Sequence, residues 1–105
     1  MRSIVLSQTA QDAIVAYVRA YRQYFTDLYT DTGIFSETQI LQYYEEQVMI
    51  REREIIDLIE KHLSADEVLG RTQKNTLLLS WKTKVILLEW KDQESIRIIT
   101  DIQIR

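Results

Sequence analysis

The sequence predicts an α+β domain in the order strand, helix, helix and three strands, with a two-helix hairpin packed on one face of a small antiparallel sheet. Three observations lead there. Apolar residues recur at helical spacing through roughly the first 63 positions, and they alternate with a period of two after Gly70. The only two glycines, Gly33 and Gly70, stand where the period changes. Two amphipathic helices cannot satisfy one another and still leave the isoleucine face of the last strand wet, so they are expected to cover it. With 105 residues the chain is long enough for one core and too short for two, so residues 1–105 form a single domain.

Residues 2–6 are short and apolar, with Ile4 and Leu6 on one face and Val5 on the other, the pattern of an opening strand. Ser7 or Thr9 then offers a helix N-cap, and Asp12 lies at capping-box spacing from Thr9. Ala10, Ala13, Ile14, Tyr17, Val18, Tyr21, Phe25 and Leu28 follow at steps of three, one and four, which predicts a first helix to about residue 28. Tyr29-Thr30-Asp31-Thr32-Gly33 is turn chemistry. Ser36 and Gln39 have capping-box spacing, with Phe35 and Ile40 placed as a hydrophobic staple, so a second helix starts there. Its apolar positions Leu41, Tyr44, Val48, Ile55, Leu58, Ile59 and Leu63 carry it to about residue 63, a length of roughly 42 Å at 1.5 Å per residue. The stripe is interrupted at Arg51-Glu52-Arg53-Glu54, which leaves the continuity of the helix open.

Thr76 to Trp81 and Val85 to Trp90, rich in Leu, Val, Ile and Trp, flank Lys82-Thr83-Lys84 as two strands of a hairpin. Lys91-Asp92-Gln93-Glu94 is expected to turn the chain again. The final strand places Ile96, Ile98, Ile102 and Ile104 on one face and Arg97, Asp101, Gln103 and Arg105 on the other, with Ile99 the exception.

Composition excludes more chemistry than it suggests. No cysteine means no disulfide, thiolate nucleophile or thiolate zinc site, and a single histidine, His62, excludes multi-histidine metal sites. His62 follows Lys61 at the end of the second helix, where the helix dipole favours a cation. Glu45-Glu46 and Glu52-Glu54 are expected to form ion pairs on a solvated face. There is no calcium-loop spacing, and neither a metal nor a cofactor is expected. The opening is too short and too soon polar for a signal peptide, and no apolar run approaches the ~20 residues of a membrane helix. A soluble, cytoplasmic protein with no membrane partner is therefore expected.

The net charge of −3 argues against generic DNA binding by the chain alone. It is unevenly spread, at −4 over residues 1–63 and +1 over residues 64–105. Between residues 71 and 91, Arg71, Lys74, Lys82, Lys84 and Lys91 face only Glu89. Lys82 and Lys84 should point to the same side of the hairpin end. Lys74, Lys82, Lys84 and Lys91 are the expected contacts to a target or RNA, unless they only flank apolar strands for solubility. All six tyrosines, Tyr17, Tyr21, Tyr24, Tyr29, Tyr43 and Tyr44, belong to the helical half. Aromatic and basic residues are therefore not interleaved as on a sheet that stacks single strands, and most of the tyrosines are expected in the core, with part of the belt of Tyr17, Tyr21, Tyr24, Tyr43 and Tyr44 left exposed for a partner as the alternative. Trp81 and Trp90, at strand ends, are expected to close that core.

Taken together, Ile4-Val5-Leu6-Ser7-Gln8-Thr9-Ala10 with Ile14, Tyr17 and Val18, and Lys84-Val85-Ile86-Leu87-Leu88-Glu89-Trp90 with its acidic turn and Ile96-Arg97-Ile98-Ile99, resemble the ParE/RelE superfamily of bacterial type II toxins. The resemblance covers nearly the full length. It implies a toxin of a plasmid-stabilisation system, neutralised by a cognate antitoxin that lays an extended or helical segment over it. One branch of the family inhibits DNA gyrase by binding it, and an acidic protein with a long second helix and no catalytic set is closer to that branch. The other branch cuts messenger RNA on the ribosome. By that likeness Arg71, Lys82, Lys84 and Arg97 are the catalytic candidates, and no Tyr or His after His62 supplies the proton transfer. The chain departs from the family pattern in having no proline and no basic tail after the last strand. A non-toxic interaction domain that dimerises through its long helix, or an inactive family member, is the third reading.

Overall fold

The computed structural model describes residues 2–20, 22–68 and 75–105, with the side chains of all but 23 and 24. Tyr21, Gly70, Arg71 and Lys74 lie outside the described residues, as does the side chain of Tyr24. The elements are β1 (Ser3–Leu6), α1 (Gln8–Arg19), α2 (Arg22–Thr30), α3 (Glu37–Leu63), β2 (Thr76–Trp81), β3 (Lys84–Gln93) and β4 (Ile96–Ile104). They form the expected α+β arrangement, helices packed on one four-stranded sheet of order β1-β4-β3-β2.

The sheet differs from the expectation in direction. β2, β3 and β4 are antiparallel neighbours, but β1 pairs parallel to β4. Helices rather than a tight turn join β1 to the remaining strands, so nothing local imposes an antiparallel partner. Alternation in β1 holds, with Ile4 and Leu6 against the core and Val5 outward.

The first helix is divided. Ser7 caps α1 by accepting from the Ala10 backbone N–H at 3.1 Å, and Gln8 rather than an N-cap Thr9 bonds Asp12. α1 closes at Ala20, whose N–H turns back to the Tyr17 carbonyl, and α2 starts at Arg22. Tyr44 of α3 donates its hydroxyl to the Arg19 carbonyl at 3.0 Å, satisfying an acceptor that the break frees. Periodicity misses this break because the apolar spacing runs through it.

Ser36 caps α3 with Gln39 as its capping-box partner, as the spacing predicts. The helix is continuous for 27 residues through Arg51-Glu52-Arg53-Glu54, about 40 Å. Its stripe Ile40, Tyr44, Val48, Ile55, Ile59 and Leu63 is buried. Ala10, Ile14 and Val18 of α1 and Leu77, Leu79, Ile86, Leu88, Trp90, Ile99 and Ile102 of the sheet join most of that stripe in one core. Each such aliphatic side chain contributes about 1.5–3 kcal/mol when fully buried. No helix among the described residues is long and apolar enough to cross a membrane.

β4 contains the main correction to the sequence reading. Glu89 lies opposite Asp101 and Trp90 opposite Ile99, so Thr100 is an extra residue and the strand is bulged. The bulge changes which parity faces the helices. Arg97, Ile99 and Ile102 point inward, while Ile96 is exposed. The chain also turns later than expected, because Lys91, Asp92 and Gln93 continue β3 in pairs with Ile98, Arg97 and Ile96. Deleting Thr100 removes the bulge yet keeps Ile99 and Ile102 on one face. That variant is expected to fold cooperatively, at a cost of about 1–3 kcal/mol in urea unfolding.

Arg97, expected on the solvent face and a candidate for stabilising charge on a reacting phosphate, is only 2% exposed. Its Nε donates to Asp92 Oδ1 at 2.7 Å, and its Nη1 donates to the carbonyls of Leu63 and Ala65 at 2.7 and 2.8 Å. Nη2 donates to the Asp66 carbonyl at 3.1 Å, and the guanidinium lies over the Trp90 ring. These contacts satisfy carbonyls that the end of α3 leaves without helical partners and tie that end to β3. The side chain is a structural staple, with its donors already engaged.

Candidate functional site

The core stripe of α3 advances four residues at a time from Ile40 to Val48 and again from Ile55 to Leu63, and the position between them falls to Arg51 and Glu52. An apolar residue there would have extended the core. Instead a cleft opens beside the β2–β3 turn, and Arg51 lines it.

That turn is a two-residue connection, Lys82 and Thr83, because Trp81 pairs with Lys84. Lys82 has φ 54°, the left-handed region that glycine and asparagine enter more readily than lysine. Lys82 Nζ lies 3.4 Å from Glu54 Oε2 and 5.3 Å from the centre of the Trp81 ring. Both Lys82 and Glu54 are substantially solvated, so the ion pair is worth no more than about 1 kcal/mol. Lys82→Gly relieves roughly 1 kcal/mol of backbone strain and loses a similar amount of contact. Its urea unfolding midpoint is therefore expected to match the parent within about 1 kcal/mol, which makes it a clean test of the charge.

The cleft encloses about 470 Å³, within the range of small-ligand sites. Tyr17 of α1 meets Trp81 edge-on at 5.9 Å on one wall. Phe25 and Tyr29 of α2, with Tyr43 of α3, form the other, at 4.7 to 5.5 Å between ring centres. Gln47, Arg51, Lys82, Thr83 and Lys84 supply its polar lining. No carboxylate or imidazole is among the described residues that line it. Desolvation, and then the neighbouring Tyr43, push the Tyr29 phenol above its ordinary range, so it stays a neutral hydroxyl at physiological pH.

Tyr29 and Tyr43 also form one side of a second, more apolar hollow of about 360 Å³, completed by Phe35, Gln39 and Ile40 at the α2–α3 connection. The predicted staple residues Phe35 and Ile40 thus line one pocket. Leu28 and Ile34 stand exposed in the same stretch of chain, and Gly33 makes the turn between them with φ 66°.

The structure therefore brings Lys82 and Lys84 together, as expected, but against the helices rather than on the open sheet. Lys91 is exposed on β3 seven residues from Lys84, about 23 Å along the strand, and does not join them. His62 is exposed in the last turn of α3. Trp90 is buried in the core, as expected, while Trp81 borders both core and cleft. Glu54 takes Lys82 as its partner, and Glu45 takes a bidentate contact from Arg19 at 2.9 and 3.1 Å. Hydrogen bonding to Arg19 holds the Glu45 carboxyl below its usual range. The stability this pair contributes is present above the ordinary carboxylate pKa and is lost as pH falls through the lowered value. Sequence reasoning missed Phe25, Tyr29 and Arg51 as site residues and offered Tyr17 and Tyr43 only as part of a belt left exposed for a partner; the gap in the α3 stripe was the available signal. Comparison with known proteins finds no matching family model, no similar curated protein and no similar solved structure.

Proposed function

We propose that the chain is a cytoplasmic, toxin-like binding protein that grips a protein target such as gyrase through the cation–aromatic cleft and is neutralised by an antitoxin. The observation that supports this reading is the meeting of Arg51, Lys82 and Lys84 with five aromatic side chains in one concave site. Aromatic rings and arginine are the residues that most often anchor protein interfaces, and the lysines add attraction for an acidic patch. A neutral Tyr29 phenol donates hydrogen bonds well and exchanges protons poorly near pH 7. The family resemblance supplies the toxin half of the proposal.

A ribosome-dependent endoribonuclease is the second reading, and one observation favours it. Tyr17, Tyr29 and Tyr43 line the same cleft as the lysines, so hydroxyls stand near cations although none follows His62 in sequence. Induction in a bacterial host separates the readings, with growth, messenger cleavage and DNA supercoiling followed for the wild type and for Lys82→Ala/Lys84→Ala. Growth arrest with altered supercoiling and intact messenger, relieved in the double variant, is the expected result. Cleaved messenger, lost in the variant, moves the assignment to the ribonuclease. Unchanged growth under strong induction sinks the toxin reading and leaves a non-toxic interaction domain.

A further inference from the structure

We infer that the cleft and the adjoining apolar pocket together receive one peptide segment of a partner, an apolar side chain entering the pocket and two or three carboxylates reaching Arg51, Lys82 and Lys84. The two hollows share Tyr29 and Tyr43 as their common wall, so a ligand crossing that pair occupies both. Their chemistries are unequal. Among the described residues the cations are confined to the hairpin end, whereas the other end is built from Phe35, Ile40, the two tyrosines and one amide, that of Gln39.

That asymmetry selects the class of ligand. A nucleic-acid strand carries a phosphate at every nucleotide, so a groove that follows it needs cations along its whole length. A peptide can hold its charge at one end and its apolar surface at the other. The chain as a whole is acidic, at −3, so it offers no broad field for a polyanion and selects one whose charge is local. Arg51 presents a planar donor fork to a carboxylate, while Lys82 and Lys84 act as mobile point charges beside it. In an extended segment at about 3.3 Å per residue, the acidic residues fall within a few positions of the apolar anchor.

This inference rests on the protein-partner reading above and is tested separately from it. A random dodecapeptide display library is selected against the full chain, and the enriched consensus is synthesised with a fluorophore for polarisation titrations. Peptides pairing a large apolar residue with a nearby cluster of Asp or Glu are the expected enrichment. Affinity of the consensus peptide is expected to fall by about tenfold or more in Lys82→Glu/Lys84→Glu. A fall of about fivefold is expected in Phe35→Ala, which removes a half-exposed wall of the pocket and leaves the core intact. Enrichment of basic or uncharged peptides, or unchanged affinity in the lysine double variant, overturns the inference. Unchanged affinity in Phe35→Ala overturns its apolar half. A single-stranded RNA dodecamer that binds the wild type where no peptide is enriched assigns the cleft to nucleic acid instead. Peptide binding without growth arrest ends the toxin reading and leaves the ligand chemistry standing; growth arrest without peptide enrichment does the reverse.

Discussion

Arg97→Met is expected to destabilise the protein by about 3–5 kcal/mol, since it strands the Leu63, Ala65 and Asp66 carbonyls at about 1–3 kcal/mol for each unsatisfied group. A domain of this size has roughly 5–15 kcal/mol of stability in total, and each kcal/mol moves the thermal midpoint by about 4–8 °C. The midpoint should therefore fall by more than about 12 °C. A well-packed hydrophobe can replace a whole buried ion pair at little cost, but that comparison does not apply here. Methionine removes the donors alone, leaving Asp92 and the carbonyls of Leu63, Ala65 and Asp66 without them. Arg97→Lys keeps the charge but loses the planar fork that reaches three elements of structure at once, so it should rescue only part of the loss. Asp92→Asn should cost less than Arg97→Met, because the Asp92 side chain is 34% exposed and water can replace part of its contact. Urea unfolding of the three variants orders them. An Arg97→Met midpoint equal to the parent would mean that the freed carbonyls are hydrated and that the staple contributes nothing.

Arg97 also shows where sequence reasoning stops. Period-two alternation in the last strand is real, and it correctly marks a half-buried strand. It assigns faces only if the alternation is unbroken, and the extra residue at Thr100 reverses the parity between Ile99 and Ile102. Ile99, the one residue that did not fit the expected pattern, was the visible sign of the bulge. The division between α1 and α2 left no such sign, because a helix break held by Tyr44 from another element requires no change of spacing. The caps of α1 and α3, by contrast, are local hydrogen bonds between residues three apart, and Ser7, Ser36 and Gln39 could be read directly.

The candidate site divides in the same way. Lys82 and Lys84 are close in sequence at one hairpin end, so their nearness was legible, but Lys82 is a turn residue with left-handed φ and strand alternation alone does not place it. The aromatic wall was not legible, because Tyr17, Phe25, Tyr29 and Tyr43 look like core positions of amphipathic helices. They become a binding wall only because α2 and α3 meet the β2–β3 turn around a gap. Aromatic and basic residues, separate along the chain, meet in space at one end of this cleft.

Arg51→Met tests that gap most directly, with opposite effects expected on stability and binding. Position 51 continues the buried stripe of α3 between Val48 and Ile55, and the Arg51 side chain also borders a small void of about 20 Å³ among Val18, Phe25, Tyr44 and Val48. Methionine is an equally good helix former with a flexible apolar chain suited to irregular gaps. It should settle against that void and stabilise the fold by about 0.5–1 kcal/mol, since each buried methylene contributes about 0.8 kcal/mol and the site is only partly covered. The same substitution removes the one cation that α3 contributes to the cleft and the only planar donor fork among the described residues that line it. Affinity for an acidic peptide should fall by about tenfold, the loss of roughly 1.4 kcal/mol expected from one charge-assisted contact. A position where the locally favourable residue is absent and its introduction strengthens the fold while weakening recognition is one kept for function. Should Arg51→Met instead lower the urea midpoint by more than about 1 kcal/mol with binding intact, the arginine is a structural residue of α3 and the cleft has to be assigned without it.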